Sequence, residues 1–424
     1  MEWFGEENSI EEYNKNLEHF RRGNMEWFDE EPKNNTDWYE ETGTVKATEK
    51  RIKVIGVGGG GGNTVSSLFD SFHQDTAAKG IDFIIMNSDT QDLSKSNVPD
   101  RIQIAQDGQG AGSDPELGKK YAEKCAARIK NSIQNAYMVF VTAGMGGGTG
   151  TGASPVVARL AREVNPEALI IGVVTTPFSS KKNRRKMDIA LKGIEELQKH
   201  VNALLVVEND AILKLFPDGG NYSIAMRATD IVLMNAIRGI VGIINNVGEH
   251  NADFRDIFNI MKEAGKDVII GVGSATGKDR YREALEKALN SPLLCGRTIN
   301  GAKGVIVNFR SSKDHSDLNG VKYVRETLCE MADPNATYKD CTTEDSNPKH
   351  EDMLVITVIA TDFVDERGNL VTYMKRAVAA YGVKTVKRTS ADSQADSNET
   401  APGEFSVIEP DFSTPTFLRT KKDK

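Results

Sequence analysis

Cysteine is scarce in this sequence, and the four that occur show no CxxC spacing. They are Cys125, Cys295, Cys329 and Cys341. A disulfide framework or a zinc site is therefore not expected, and the usage is typical of a reducing cytoplasm. An excess of basic residues is also missing, because the formal net charge is -8 at pH 7. That balance argues against nucleic acid as the main partner.

Long hydrophobic runs are missing as well. No stretch of about eighteen apolar residues occurs, so direct insertion into a membrane is not expected. The first residues, MEWFGEENSIEEY, are acidic and aromatic and lack the basic and apolar regions of a secretory signal. The remaining composition, 39% hydrophobic over 424 residues, is that of a soluble protein with two or three domains.

Polar segments flank a central region of ordinary composition. Residues 1–48 are acidic, rich in asparagine and poor in aliphatic residues, which predicts a flexible arm. The arm contains a short echo, MEWFGEE at 1–7 and MEWFDEE at 25–31, which is too little for a solenoid. The echo is either a repeated partner-binding peptide or without a role. Residues 364–408 predict a disordered linker.

The last segment, residues 409–424, differs from that linker. Large apolar side chains stand beside prolines and a basic tail, which indicates a short docking peptide rather than a frayed end. Its candidate contact residues are Phe412, Pro415, Phe417, Leu418 and Arg419.

Between arm and linker, β-branched apolar runs alternate with helical patterns. The runs are RIKVIGVG, IDFIIMNSD, YMVFVTAG, ALIIGVVTTPF and NALLVVEND. Such alternation predicts an α/β domain at 49–222 with a parallel sheet covered by helices on both faces. Residues 223–252 contain one long, mostly apolar helix, expected to lie between two domains. Residues 253–363 repeat the alternation and predict a second, smaller α/β domain.

Two glycine-rich segments follow predicted strands and precede predicted helices. They are GVGGGGGNT at 56–64 and GMGGGTGTG at 144–152. The first N–H groups of a helix have no partner, and glycine lets several of them converge on one anion. Thr149 and Thr151 add hydroxyl donors. A third segment, GQGAGSDPELG at 108–118, places Asp114 and Pro115 in the order of an N-cap and a first helical proline. Three anion-binding segments suit a nucleoside triphosphate better than a pyrophosphate.

An alternative is a dinucleotide-dependent oxidoreductase, since Gly56, Gly58 and Gly61 match GxGxxG. That pattern alone is weak. The acidic residue expected at the end of the next strand is replaced by Asn87, with Asp89 only beyond it. A dinucleotide fold also has no place for the second glycine-rich segment, and no GxxxxGK[ST] motif occurs at these loops.

These residues resemble the tubulin/FtsZ superfamily, and within it the FtsZ family. The resemblance rests on the two glycine-rich segments and on NSDTQDL, GAKGVIVNF, SPLL, VIATDF and the terminal TPTFLR. It covers about residues 49–363 and the last fifteen or so. It implies a Rossmann-like GTPase domain, a long central helix, a smaller C-terminal domain, and head-to-tail homopolymers with GTP at each contact.

The resemblance also assigns nucleotide contacts. Asn63 lines the nucleotide, Asn209 matches a base- or ribose-side position, and Asp230 matches the carboxylate that reads guanine. One carboxylate can accept from both N1–H and N2–H of guanine, which agrees with that role. The expected GTP-binding residues are Gly58, Gly59, Gly60, Gly61, Asn63, Gly110, Ala111, Gly146, Gly147, Gly148, Thr149, Gly150, Thr151, Arg185, Asn209 and Asp230.

In this family the residues that activate the attacking water come from the next subunit, in the loop after the central helix. Here that loop reads EHNADFRDIF, and Asn251, Asp253 and Asp256 fall on the family positions. Asn251 or Asp253 can equally serve as an N-cap of the following helix, and both roles are compatible. The resemblance further implies Mg²⁺ with the GTP, hydrolysis coupled to assembly, and a cytoplasmic midcell ring on the inner face of the membrane. It assigns the C-terminal peptide to membrane-tethering and regulatory division proteins.

The sequence departs from the family after VVTTPF, where it reads SSKKNRRKMD. Lys181 stands where a glutamate is usual, and Arg184, Arg185 or Lys186 is left as the basic nucleotide contact. Met226 replaces an aromatic residue that would stack on guanine. These changes leave open an alternative, a filament scaffold that binds GTP but hydrolyses it weakly or not at all.

Overall fold

The computed structural model describes the central part of the chain with gaps. The described residues are 51–72, 80–178, 183–213, 229–230, 233–234, 236–237, 239–241, 254–263, 266–294, 297–312, 317–344, 352–363 and 373. The predicted arm at 1–48 and the docking peptide at 409–424 lie outside them. None of the helices within these ranges is long and apolar enough to cross a membrane.

The first domain is built from six parallel strands and the helices between them. In chain order the elements are β1 (Ile52–Val57), α1 (Gly58–Phe72), β2 (Ile81–Asn87), α2 (Thr90–Ser94), β3 (Asp100–Gln103), α3 (Pro115–Lys124), α4 (Ala126–Ile133), β4 (Met138–Gly144), α5 (Thr149–Val164), β5 (Leu169–Thr176), α6 (Arg184–Gln198), β6 (Ala203–Glu208) and α7 (Asn209–Leu213). The strand order is β3-β2-β1-β4-β5-β6, and every neighbouring pair is parallel.

The two faces of this sheet carry separate hydrophobic clusters. Along β1, Ile52 and Val54 belong to one cluster while Ile55 and Val57 belong to the other. Helix α1 covers the first face, and helices α3 to α6 cover the second. Strands buried on both faces need continuous β-branched runs, which is why β1 and β5 read IKVIGV and LIIGVVTT.

The second domain continues the sheet with mixed strand directions. Its elements are α8 (Phe254–Glu263), β7 (Lys266–Thr276), α9 (Arg280–Leu289), a 3₁₀ turn (Pro292–Leu294), β8 (Ala302–Ser311), α10 (Leu318–Met331), β9 (Thr337–Glu344) and β10 (Met353–Phe363). The order is β7-β10-β8-β9, in which β10 is antiparallel to both neighbours. Strand β7 pairs with β6 through only two residue pairs, so the sheet runs through both domains.

The central helix predicted at 223–247 is described at only a few positions between 229 and 241, all of them helical. Leu233 and Ile237 are buried in one cluster with Leu205 of β6 and Ile270 of β7. The described positions of this segment therefore pack against β6 and β7.

The predicted fold class is confirmed, with local differences. Helix α1 begins at Gly58, so the glycines expected in a turn form the first turn of the helix. The run DPELGKKYAEKCAARIKNSIQ at 114–134 predicts one helical stretch, but the structure divides it at Cys125 into α3 and α4. Strands β3 and β9 escaped prediction because DRIQ and TYKDCTTE carry few apolar residues. Tyr373, inside the predicted linker, is helical and only 4% exposed, against the cluster on the second sheet face.

Candidate nucleotide-binding site

Two glycine-rich segments lie at the point where the strand order reverses. One follows β1 and the other follows β4, and these two strands are neighbours in the sheet. In open α/β sheets, ligands bind at this switch point beyond the carboxyl ends of the strands. The site predicted from the sequence therefore falls where the topology creates a crevice.

The three predicted anion-binding segments converge there. A Cβ added to Gly58 would lie 2.8 Å from the backbone nitrogen of Gly150, and one added to Gly148 would lie 2.8 Å from the Cβ of Ala111. Gly110 donates its N–H to the carbonyl oxygen of Ser88 at 3.2 Å. The contacts bring the segments after β1, β3 and β4 together at one place, as expected.

Two helices begin at this convergence. Helix α1 begins at Gly58, and α5 begins at Thr149 with Gly148 as an N-cap that offers no side-chain hydrogen bond. Both helix N-termini therefore present backbone N–H groups and the positive end of a helix dipole. Asp114 does cap the third helix, since its carboxylate accepts from the N–H groups of Glu116 and Leu117. This cap and the helical proline after it were predicted.

The two threonine hydroxyls of GMGGGTGTG bond within the protein. Thr149 Oγ1 lies 2.6 Å from Ser88 Oγ, which ties the segment to the end of β2. Thr151 Oγ1 accepts the backbone N–H of Gly146 at 2.9 Å, and the Thr151 side chain is 2% exposed. Ser88 was not singled out in the sequence, although it stands in NSDTQDL directly after β2.

A cleft of about 310 Å³ opens beside the first turns of α1. The residues expected to bind nucleotide that line it are Gly58, Gly59, Asn63 and Asp230. Asp92 and Asn87 also line it; they are joined by a 3.4 Å hydrogen bond from the Asn87 amide to the Asp92 carboxylate. Sequence reasoning gave neither of them a nucleotide role, although both stand in the quoted NSDTQDL.

Asp230 of the central helix lines this cleft and is hydrogen-bonded to α1. The Thr64 hydroxyl donates to Asp230 Oδ1 at 3.0 Å, and Thr64 itself is fully buried. Burial raises the Asp230 pKa to about 6, against a smaller lowering by the Thr64 hydrogen bond. A carboxylate held at the edge of a cleft with spare acceptor capacity suits a ligand with paired N–H donors.

The side-chain oxygen of Asn209, the first residue of α7, gives the clearest indication that a ligand donor is missing from the site. It is 6% exposed, and within the described part of the chain its Oδ1 meets no hydrogen-bond donor. Buried amide oxygens are normally satisfied, so this one fits a ligand donor such as a ribose hydroxyl or a base N–H.

For the remaining expected residues the structure describes only part of the position or none of it. Arg185 is exposed in the first turn of α6, and the carbonyl oxygen of the adjacent Lys186 lies beside Gly146. Asp256 lies in the first turn of α8, where only its backbone is described. Asn251, Asp253, Lys181 and Met226 lie outside the described residues. No group of side chains able to hold a metal ion by itself occurs among the described residues.

Fold and site together define a Rossmann-like nucleotide-binding protein with a second mixed-sheet domain. Residues 51–217 match the GTPase domain of the Tubulin/FtsZ family, and residues 266–364 match the C-terminal domain of the FtsZ family. The structure of an empty FtsZ dimer from M. jannaschii is 31% identical over 82% of this chain and 92% of its own, with a TM-score of 0.66. CetZ2 from Haloferax volcanii, solved as a GTPγS-bound protofilament, shares the fold at 20% identity and a TM-score of 0.63, covering 78% of this chain and 98% of its own.

The chain belongs to the tubulin/FtsZ family. It is thus a member of a GTPase family, and guanine nucleotide is the ligand that this membership implies. The glycine-rich helix starts, the Asp230 carboxylate and the unpaired Asn209 oxygen are the features of this chain that fit such a ligand.

The raised pKa of Asp230 predicts how GDP affinity depends on pH. If the ionised carboxylate accepts from guanine, affinity falls below pH 6, approaching tenfold per pH unit. Without nucleotide the sign is opposite for stability: a pKa raised by folding makes the carboxylate unfavourable above pH 6, and this cost shrinks as pH falls through 6. Titrating GDP binding from pH 5 to 8 tests the first effect. The Asp230→Asn variant reports the slope due to the phosphates alone, and equal slopes in both proteins would contradict the assignment.

Proposed function

We propose that this protein is a polymerising GTPase that forms head-to-tail filaments and hydrolyses GTP to GDP and phosphate at the contact between subunits. The observation that carries the proposal is the 31% identity to FtsZ of M. jannaschii along 82% of this chain, together with the match to the FtsZ C-terminal domain. That FtsZ was solved as a dimer and CetZ2 as a protofilament, which supports self-association.

The proposed site is shared by two subunits. One subunit supplies the phosphate cradle at the starts of α1 and α5 and the guanine contact at Asp230. The next subunit supplies Asn251, Asp253 and Asp256, which orient the attacking water. Helix α8, whose first turn contains Asp256, packs Ile260 and Met261 into the cluster that also contains Leu233 and Ile237. A Mg²⁺ ion held by the phosphates would neutralise charge in the transition state.

The cellular part of the proposal is a role in the division ring. Filaments would assemble at midcell on the cytoplasmic face of the membrane, and the peptide at 409–424 would bind membrane-tethering and regulatory division proteins. The identity to FtsZ, against 20% or less to the CetZ structures, favours this role over a CetZ-like one. The alternative is a scaffold that binds GTP with little hydrolysis, which the replacement of a family glutamate by Lys181 favours.

The decisive experiment measures GTP turnover per subunit against protein concentration with Mg²⁺ present. A site completed by assembly predicts almost no turnover below a threshold concentration and a sharp rise above it. The Asp256→Ala variant should then lose turnover while it still binds GTP, because the residue acts on the neighbouring subunit's nucleotide.

Each other outcome has a distinct meaning. Turnover that is high at every concentration would place the whole site in one subunit and overturn the mechanism. Bound GTP without turnover at any concentration would support the scaffold. A nicotinamide dinucleotide, identified by mass in the purified protein, would instead support the oxidoreductase interpretation.

A further inference from the structure

The hydroxyl of Thr151, in the first turn of α5, is engaged by the loop that precedes this helix. Its Oγ1 accepts the N–H of Gly146 at 2.9 Å, which closes the loop between β4 and α5 upon itself. Gly146 is buried and has a φ of +98°, a conformation that only glycine adopts readily. The hydrogen bond therefore fixes the orientation of one peptide in the middle of the phosphate cradle.

The methyl group of Thr151 faces Gly193 of α6. A Cβ added to Gly193 would collide with Thr151 Cγ2, and it would lie 3.4 Å from Thr151 Cβ. Helices α5 and α6 thus touch at this pair, with Thr151 wedged between Gly146 and Gly193. Both Thr151 and Gly193 line a groove between α3, α5 and α6, whereas neither lines the cleft that contains Asp230.

We propose that Thr151 is a positioning residue for the phosphate-binding loop rather than a direct nucleotide ligand, and that Gly193 sets its position. The hydroxyl orders Gly146, so that the neighbouring N–H groups of Gly147 and Gly148 face the phosphates. The contact with Gly193 transmits the position of α6 to that loop. This inference rests on the proposed binding of guanine nucleotide to the cradle.

Three substitutions separate the hydroxyl from the methyl group. Thr151→Val keeps the shape and removes the acceptor, which leaves a buried N–H unpaired at Gly146. We expect GDP and GTP affinity to fall about tenfold, the usual consequence of an unmade buried hydrogen bond. Thr151→Ser keeps the acceptor and should bind as the unmodified protein does. Gly193→Ala should weaken binding although Gly193 does not line the cleft that contains Asp230, because its new methyl group displaces Thr151.

The combined variant Thr151→Ser with Gly193→Ala provides the sharpest readout. Serine lacks the Cγ2 that the added methyl group would strike, so the pair should restore the affinity lost in Gly193→Ala alone. The rescue would show that the effect of Gly193→Ala passes through the Thr151 methyl group. Lys192→Ala, at an exposed position of the same helix, is the matched control and should change nothing.

Affinities are measured with a fluorescent GDP analogue, and melting temperatures confirm that each variant folds. Unchanged affinity in Thr151→Val, or no rescue in the double variant, would overturn the positioning role. If Gly193→Ala does not fold, the comparison of Thr151→Val with Thr151→Ser decides alone. Failure of the unmodified protein to bind the analogue would instead refute guanine-nucleotide binding, so the two failures are distinguishable.

Discussion

Asp230→Asn is expected to exchange the base preference of the protein from guanine to xanthine. An asparagine has one acceptor oxygen and a donor NH₂, so it cannot accept from both N1–H and N2–H of guanine. Because hydrogen bonds to a charged group are worth about 1.5–3 kcal/mol each, GTP affinity should fall at least about 100-fold. Xanthine carries an oxygen in place of the 2-amino group, and the new NH₂ can donate to it. Affinity for XTP should therefore rise above affinity for GTP.

Competition binding with GTP, XTP and ATP measures this exchange. The position of Thr64 permits it, since a hydroxyl that donates to Asp230 Oδ1 can donate equally to an asparagine oxygen at the same place. Thr64→Val is a useful second variant: it should weaken every guanine nucleotide without favouring xanthine. Loss of GTP binding with no gain for XTP would show that Asp230 supports the site without reading the base.

Gly61→Ala should destabilise the protein and Gly62→Ala should not, although the two glycines are neighbours in α1. A Cβ at Gly61 would collide with the carbonyl oxygen of Thr142 and lie 2.9 Å from its carbon, so backbone must move against backbone. We expect the free energy of unfolding to fall by about 3 kcal/mol, the upper range for overpacking. A Cβ at Gly62 meets nothing within 4 Å. There the higher helix propensity of alanine should leave stability unchanged or raise it by up to about 1 kcal/mol.

Urea denaturation of the two variants without nucleotide tests this contrast, and each serves as the control for the other. The experiment separates two reasons for glycine in GVGGGGGNT. Glycine at 61 is required by the close approach of α1 to β4, whereas glycine at 62 is not required by packing. Equal stabilities would mean that the helix can shift away from the sheet at little cost.

The strands and helices were predictable wherever burial imposed a pattern. Strands β1, β4 and β5 are covered on both faces, and their continuous apolar runs identify them in the sequence. Strand β3 has exposed residues at its first two positions, so the run DRIQ carries no such signal. The break at Cys125 was equally hidden, because the helical periodicity continues from α3 into α4 although the backbone of Cys125, with φ -95° and ψ 11°, departs from helical geometry.

The candidate site was predictable in its ligand class but not in its internal bonding. A glycine-rich segment between a strand and a helix predicts an anion-binding loop, and Asp114-Pro115 predicts the start of a helix. No sequence pattern shows that Thr151 turns toward Gly146, or that Ser88 reaches Thr149 across 61 residues of chain. Such partners depend on which strands become neighbours, and that is decided by the tertiary fold.

Helix α1 serves both ends of the site. In the proposed site its first turn binds phosphate, and Thr64, six residues after Gly58, donates a hydrogen bond to the carboxylate of Asp230. At 1.5 Å per residue these two points are fixed at about 9 Å along one stiff rod. If both contacts are made as proposed, a ligand can reach both ends only when its anion and its hydrogen-bonding base stand at that separation. On the proposed binding mode, helix α1 would thus select a ligand by its length, in addition to the selection by charge and by base.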